Sequence, residues 1–261
     1  MSTNTPNSIL AKLKLPGRTF QLPSRAALYV NGEVNASEGE VHVHPLSAIA
    51  EINLKNPDML FNGKALEAVF AECVPEIKKP TELFGRDVDA LMFFLRLVTY
   101  GQYFNISVKH TCENAKEHQY NVDLEAMLAE MKFIDPTAAE SNYTCVLPNE
   151  QVVKVHPIKF KHMIDLYHMN IGKTEITPED LKRNIVFNLS NVIDSIDGVS
   201  DKEQIAEWVA RASTPYHNRI TEVIERTNHW GPASTVDLIC KDCGEKMEVD
   251  LPLNPVNFFT E

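Results

Sequence analysis

The stretch Cys240-Lys241-Asp242-Cys243-Gly244 determines how the rest of the sequence is interpreted. Two cysteines separated by two residues can direct both sulfur atoms at one metal ion, as in a zinc knuckle. Gly244 follows the second cysteine directly and supplies the backbone freedom that so tight a turn requires. The alternating residues 247–251 predict a strand that returns from the turn. The stretch therefore predicts half of a zinc ribbon, with two of the four ligands that structural zinc requires.

An earlier segment, residues 111–124, follows the same plan. Cys112 begins a turn, and the strand after it ends in Val-Asp-Leu at residues 122–124, as the later strand does at residues 249–251. Ala115 stands where the later segment has its second cysteine. The segment therefore predicts a second half-ribbon that carries one cysteine instead of two.

The two segments together predict a structural zinc ion. Cys112 is the third ligand, and the fourth is His118, His110 or a water molecule. The predicted ligand set is Cys112, Cys240, Cys243 and His118. His110 and water remain alternatives for the fourth position. The opposing hypothesis is an eroded site, in which the turns persist through packing alone and bind no metal.

The composition is that of a globular protein, and its charge argues against a nucleic-acid partner. The chain has 261 residues, of which 44% are hydrophobic and 23% charged, and its formal net charge is −11. Phosphate neutralisation needs clustered lysine and arginine, so we predict no nucleic-acid binding. The sequence contains no run of about 18 apolar residues, so we predict no membrane span. Five cysteines without an export signal indicate a reducing compartment, here the cytoplasm.

The order of patterns along the chain predicts a duplication. Residues 41–46 and 153–158 share the pattern Val-x-Val-His-Pro-aliphatic, and helical patterns and a cysteine turn follow each of them. We predict an α+β fold, dominated by helices, with two duplicated lobes that each carry a short β-hairpin with a half-zinc-ribbon turn. The predicted divisions are a flexible arm at 1–18, a first lobe at 19–134 and a second lobe at 143–261.

Two segments have clear helical patterns. Residues 87–100 are apolar nearly all round, which predicts a helix buried in the middle of a domain. Thr177-Pro178-Glu179-Asp180 is a strong helix start. The apolar stripe that follows it predicts one helix that continues to residue 196.

The sequence contains no recognisable catalytic motif. It lacks HExxH, GxGxxG and GxSxG, its nine histidines are scattered, and no pair of acidic residues is singled out as a general acid and base. We therefore predict that the protein is not an enzyme.

Several phrases together resemble a known virus family. They are Leu22-Pro23-Ser24-Arg25, the segment LRLVTYG at residues 95–101, the CxxCG turn and the segment LPLNPVNFF at residues 251–259. Over residues 22–259 the chain resembles the baseplate hub assembly proteins of T-even-type contractile-tailed bacteriophages. The departure from the pattern is Ala115, where a complete knuckle would have cysteine.

The resemblance implies a non-enzymatic hub subunit or a factor that assembles the hub. Its partners would be other baseplate hub proteins or the tape-measure protein, without membrane or nucleic acid. It would act in the host cell cytoplasm during assembly, and its presence in the virion tail baseplate is left open. Phe258 and Phe259 are either docking anchors for a partner or residues that close the core of the second lobe. The alternative function is a zinc-ribbon regulator that binds a transcription or replication machine.

Overall fold

A computed structural model describes residues 16–56, 59–60, 62–113, 115–137, 143–173, 175–253 and 255–259. Most of the predicted N-terminal arm, residues 1–15, lies outside these ranges. Helix accounts for 43% of the structure and strand for 22%, and the sheets are small and antiparallel. The prediction of a helix-dominated α+β fold is thus confirmed.

Within the described ranges, the first half of the chain contains two separate antiparallel strand pairs with helices between them. Its strands are β1 (Arg18–Gln21), β2 (Glu40–Val43), β3 (Tyr103–Lys109) and β4 (Glu117–Asp123). Its helices are α1 (Ala48–Leu54), α2 (Lys64–Cys73), α3 (Gly85–Tyr100) and α4 (Leu124–Ala129). Strand β1 pairs with β2 and β3 pairs with β4, both antiparallel. Helix α3 is the predicted central helix, and Leu91, Phe93 and Leu95 on it are fully buried.

The described part of the second half has a three-stranded sheet, four larger helices and a final hairpin. Its strands are β5 (Thr144–Val146), β6 (Val152–Val155), β7 (Ile193–Ile196), β8 (Thr235–Ile239) and β9 (Lys246–Asp250). Its helices are α5 (Phe160–Asn170), α6 (Pro178–Val192), α7 (Lys202–Arg211), α8 (Thr214–Thr227) and the short α9 (Pro255–Phe258). The sheet has the order β5-β6-β7, and β8 pairs with β9. No helix in the described ranges is long and apolar enough to cross a membrane.

The prediction that one helix continues to residue 196 is wrong. Helix α6 begins with the expected capping box at Thr177 and Asp180, but it ends at Val192. Residues 193–196 then form β7, which pairs antiparallel with β6. β-branched Ile193 and Ile196 suit a strand and are buried in the second core. Residues 193–196 therefore form a strand because they pair with β6, although their apolar spacing alone predicts a helix.

Two hydrophobic clusters organise the chain, and the C-terminal hairpin packs with the first of them. The first cluster is built mainly from residues 22–124, but it also includes Cys240, Met247, Leu251, Phe258 and Phe259. The second contains Phe84, Ile134 and residues between 143 and 230. Strands β8 and β9 thus cover the core of the first half. The division of the chain at residues 134 and 143, and its origin by duplication, stay predictions.

Phe258 and Phe259 are buried rather than available to a partner. Their exposed fractions are 0% and 2%, and both belong to the first cluster. The ring of Phe258 contacts Phe93 and Phe104 at centroid distances of 5.3 and 5.1 Å. The buried guanidinium of Arg96 donates a hydrogen bond to the Phe258 carbonyl. The docking-anchor hypothesis is therefore wrong, and the core that these aromatics close is the first one.

A buried carboxylate joins the N-terminal residues to α3. Asp87 accepts hydrogen bonds from the Ser24 backbone N–H at 3.1 Å and from the Tyr29 hydroxyl at 2.6 Å. Tyr29 in turn accepts from the Phe84 backbone N–H at 2.9 Å. Burial raises the pKa of Asp87 to about 6, although both hydrogen-bond donors act in the opposite direction. The segment at residues 22–25 is thus attached to α3 through the Asp87 carboxylate.

The first prediction concerns the C-terminal aromatics. Phe258→Ala removes a fully buried ring from the first cluster and should lower the free energy of unfolding by about 3–5 kcal/mol. Val30→Ala is the control, because Val30 is 83% exposed and its truncation should change stability by less than about 0.5 kcal/mol. Urea unfolding measures both. Equal stability of the two variants would contradict the observed burial.

The second prediction concerns pH. The folded-state pKa of Asp87, about 6, lies above its ordinary value of 3.8, so the native state binds more protons between these values. Its contribution to stability is complete below pH 3.8 and is lost as the pH rises through 6. Asp87→Asn should therefore make the dependence of the unfolding free energy on pH less negative between pH 4 and 6. An unchanged slope there would contradict the prediction.

Glu82→Gln is the matched control, because the pKa of Glu82 is lowered whereas that of Asp87 is raised. Partial burial disfavours the Glu82 carboxylate, but hydrogen bonds from Lys161 and Lys159 outweigh this effect and lower its pKa to about 2. Its contribution is therefore present above its ordinary pKa of 4.5 and lost as the pH falls towards 2. The substitution should change the pH dependence only below about pH 4.5.

Candidate metal centre

The first half of the site is the turn between β3 and β4. The two strands pair in register from Tyr103 with Asp123 to Lys109 with Glu117. His110 and Cys112 follow the end of β3, and the Ala115 backbone N–H donates to the Cys112 carbonyl at 3.2 Å. The position of the missing second cysteine is therefore occupied by a residue that closes the turn through its backbone.

The second half is the turn between β8 and β9. Here the Gly244 N–H donates to the Cys240 carbonyl, and the Cys240 N–H donates to the Glu245 carbonyl, both at 2.9 Å. Gly244 has a φ of +76°, in the left-handed region that favours glycine. This geometry is the knuckle that the sequence predicts. It directs Cys240 inward, where it is buried, and leaves Cys243 exposed.

The two turns meet and bring four donor atoms together. The side chains are His110, Cys112, Cys240 and Cys243, and their ligand atoms all lie within 4.8 Å of one another. The Sγ atoms of Cys112 and Cys240 are 3.9 Å apart, and Cys243 Sγ is 3.4 Å from His110 Nδ1. We refer to these four residues as the His–Cys cluster.

The measured separations suit a tetrahedral zinc ion. Zinc–sulfur bonds of about 2.3 Å and zinc–nitrogen bonds of about 2.0 Å place two sulfurs about 3.8 Å apart and a sulfur and a nitrogen about 3.5 Å apart. The observed distances of 3.9 and 3.4 Å are close to both values. Three thiols and one imidazole are also a donor set typical of structural zinc. The residues present therefore fit the metal.

His118 lies beside the cluster and has a different contact. Its Nε2 atom is 2.9 Å from Asp242 Oδ1, while Asp242 Oδ2 accepts from the Lys116 backbone N–H at 2.8 Å. The structure thus brings together three of the four predicted ligands and places His110, the stated alternative, at the fourth position. The ligand set stays a prediction until metal is measured.

A signal in the sequence favours His110 over His118. His110 and Cys112 are separated by one residue at the end of a strand, where alternate side chains point to the same face. His110 and Cys112 could therefore supply two ligands to the same metal ion as Cys240 and Cys243.

Further contacts fix the two turns against each other. The Lys241 backbone N–H donates to the Tyr120 hydroxyl at 3.2 Å, and Lys241 Nζ donates to the Gln119 carbonyl at 2.6 Å. The same ammonium lies 4.8 Å from the Tyr120 ring centroid. The donor atoms are therefore held by contacts that do not themselves involve metal.

The cysteines differ in acidity because their surroundings differ. Backbone N–H groups of Cys243 and Asp242 donate to the Cys240 sulfur and outweigh its burial, which lowers the pKa of this thiol to about 7. Desolvation and the two neighbouring sulfurs raise the pKa of Cys112 to about 12. One sulfur is thus prepared as a thiolate, the form that binds metal.

The chemistry available to the cluster is structural. Four protein side chains satisfy a tetrahedral ion, whereas a catalytic zinc site keeps one position for water or substrate. A bound ion would link two turns whose nearest ligands are 128 residues apart in sequence.

One comparison with known proteins gives a match. The family model described as "T4 bacteriophage base plate protein" matches residues 45–260, which include both hairpins and all four residues of the His–Cys cluster. No curated protein and no solved structure matches the chain.

Proposed function

The chain belongs to the T4 bacteriophage base plate protein family, and from this premise we propose that it serves the baseplate hub. Its role would be that of a hub subunit or of a factor that assembles the hub. It would act without catalysis, through contacts with other hub proteins or the tape-measure protein. Its proposed place of action is the host cell cytoplasm during tail assembly. The family match over residues 45–260 is the observation that carries this proposal.

The surface of the second half supports a function through protein contacts. Exposed apolar side chains concentrate on the hairpin of α5 and α6, which we call the α5–α6 surface. They are Met163, Tyr167, Ile171, Ile176, Leu181 and Ile185, with exposed fractions between 39% and 55%. Apolar side chains gathered in one region are typical of sites where another protein docks. This surface is where we expect the hub partner to bind.

The third prediction tests this function by direct binding. Immobilised chain should retain purified hub or tape-measure protein of the same phage, and the variant Leu181→Glu should lower the affinity about tenfold or more by burying a charge. Val30→Glu is the control, because Val30 is exposed and lies on no helix or strand.

Salt dependence separates this proposal from the regulator alternative. Partner binding through apolar contacts should change little between 50 and 500 mM salt. Retention on DNA that falls steeply over the same range would support a regulator of a transcription or replication machine. Failure to retain any hub or tape-measure protein would refute the hub role.

We also propose that a structural zinc ion occupies the His–Cys cluster. The support is geometric: the donor set and the two measured separations match tetrahedral zinc. The ion would clasp the β3–β4 turn to the β8–β9 turn and so hold the C-terminal hairpin on the first core. Its contribution would be stability of the fold rather than chemistry on a substrate.

The fourth prediction is about one zinc per chain by elemental analysis. Cys240→Ser and His110→Ala should both lower the zinc content. Cys240→Ser should also lower the unfolding free energy by about 3 kcal/mol or more, because metal loss is among the most destabilising changes. His118→Ala should keep the zinc, since the contact of His118 is with Asp242.

Cys145→Ala is the matched cysteine control. Cys145 lies in the second core, where its thiol donates to the Arg219 carbonyl at 3.9 Å, so its removal should leave the zinc content unchanged. Zinc lost in His118→Ala but kept in His110→Ala would restore the original assignment. Absence of zinc from protein prepared without chelators would mean that the turns are held by packing alone.

A further inference from the structure

A groove in the second half of the chain lies where α7 meets α8, and we call it the α7–α8 groove. Its volume is about 660 Å³, which falls within the range of about 300–1,000 Å³ that is typical of ligand sites. Helix α7 lines it with four side chains spaced three or four residues apart, which therefore lie on one helix face. They are Gln204, Glu207, Trp208 and Arg211. The first turn of α8 adds Tyr216.

Two aromatic rings form the apolar part of this groove. The ring planes of Trp208 and Tyr216 are 5° apart, and their centroids are 6.2 Å apart. Both side chains are half-buried and pack against the second hydrophobic cluster, which limits the movement of their rings. Parallel rings of this kind offer a ligand flat apolar faces, while each side chain keeps a polar atom.

A hydrogen-bond network fixes the orientation of the Trp208 ring. Its indole N–H donates to Gln151 Oε1 at 3.2 Å, and Asn149 Nδ2 donates to the same oxygen at 2.8 Å. The Gln151 amide nitrogen donates in turn to Asp197 Oδ2 at 3.2 Å. Asn149 and Gln151, which flank the turn between β5 and β6, also line the groove. The ring is therefore positioned before any ligand binds, which lowers the entropy cost of binding.

The other polar side chains of the groove are available to a ligand. Among the described residues, the amide of Gln204 and the hydroxyls of Ser213 and Tyr216 have no hydrogen-bond partner. Glu207 and Arg211 form an exposed ion pair at 2.7 Å, and such pairs contribute little to stability, so this one can open. The groove thus offers hydrogen-bond donors and acceptors side by side around the two rings.

This combination matches a saccharide better than other ligands. A pyranose ring has an apolar C–H face that can pack on an aromatic ring, and its hydroxyls both donate and accept hydrogen bonds. A proline-rich peptide also packs on aromatic grooves, but it offers mainly carbonyl acceptors, and the indole N–H of Trp208 is already bonded to Gln151. The net charge of −11 disfavours a nucleic acid.

We propose that the α7–α8 groove binds a short oligosaccharide. A sugar ring stacks on Trp208 and Tyr216, and Gln204, Glu207 and Arg211 bind its hydroxyl groups. The volume of the groove suits a di- or trisaccharide. The proposal does not depend on the hub function or on zinc.

Tryptophan fluorescence of the full chain measures the binding. The protein has two tryptophans, and Trp230 is buried at 4% exposure, so a change in emission on titration reports on Trp208. The probes are cellotriose, chitotriose and maltotriose, which differ in linkage and in their substituents. At least one of them should bind saturably with a Kd of about 1 mM or lower.

Two substitutions of Trp208 form a matched pair, and calorimetry measures their affinity because the fluorescent reporter is lost. Trp208→Phe keeps a flat ring and should bind the same sugar within about threefold of the unchanged protein. Trp208→Leu keeps an apolar side chain without a flat face and should bind about tenfold more weakly or worse.

A second variant separates binding from folding. Gln204→Ala with Glu207→Ala should lower the affinity about tenfold, because both side chains bind hydroxyls in the proposed complex. Both residues are exposed, so the urea midpoint of this variant should stay unchanged.

Three outcomes would overturn the proposal. In the first, none of the three sugars binds below about 10 mM. In the second, Trp208→Leu and the Gln204→Ala, Glu207→Ala variant both bind as well as the unchanged protein. In the third, a decaproline peptide binds about tenfold more tightly than any of the sugars, which would assign the groove to a proline-rich partner.

Discussion

The contact between the two hairpin turns is the constraint on which the rest of the structure depends. It joins Cys112 to Cys240 across 128 residues, and closing a loop of that length costs about 4 kcal/mol of chain entropy. Contacts of Asp242 and Lys241 with residues 116–120 offset part of this cost, together with the burial of Met247 and Leu251. A metal ion bound in the His–Cys cluster would offset a further part of this entropy cost.

The C-terminus acts with this contact to complete the first core. Phe258 packs on Phe93 and Phe104, and the Arg96 guanidinium lies 4.3 Å from the Phe104 ring centroid. A buried guanidinium needs hydrogen-bond acceptors, and the Phe258 carbonyl supplies one of them. The last residues therefore complete both the apolar packing and the polar contacts of α3, the central helix of the first half.

Local features of the structure could be predicted from the sequence, whereas features that depend on distant pairing could not. The cap at Thr177 and the CxxC knuckle both follow from residues a few positions apart. Strand β7 depends instead on β6, about 40 residues earlier, and its apolar spacing fits a helix equally well. The complete His–Cys cluster likewise results from the approach of two turns that are distant in sequence, although the spacing of His110 and Cys112 is a local signal.

The composition of the first core affects when it can fold during synthesis of the chain. A domain usually begins to fold as soon as it leaves the ribosome, from the N-terminal side. Here the core around α3 is completed by residues 240–259, so the first half of the chain cannot reach its final packing while those residues are still being made. A prematurely terminated chain would leave Phe93 and Phe104 uncovered and the cluster with half of its donors. The core around α3 therefore depends on residues 240–259, which lie far from that helix in the sequence.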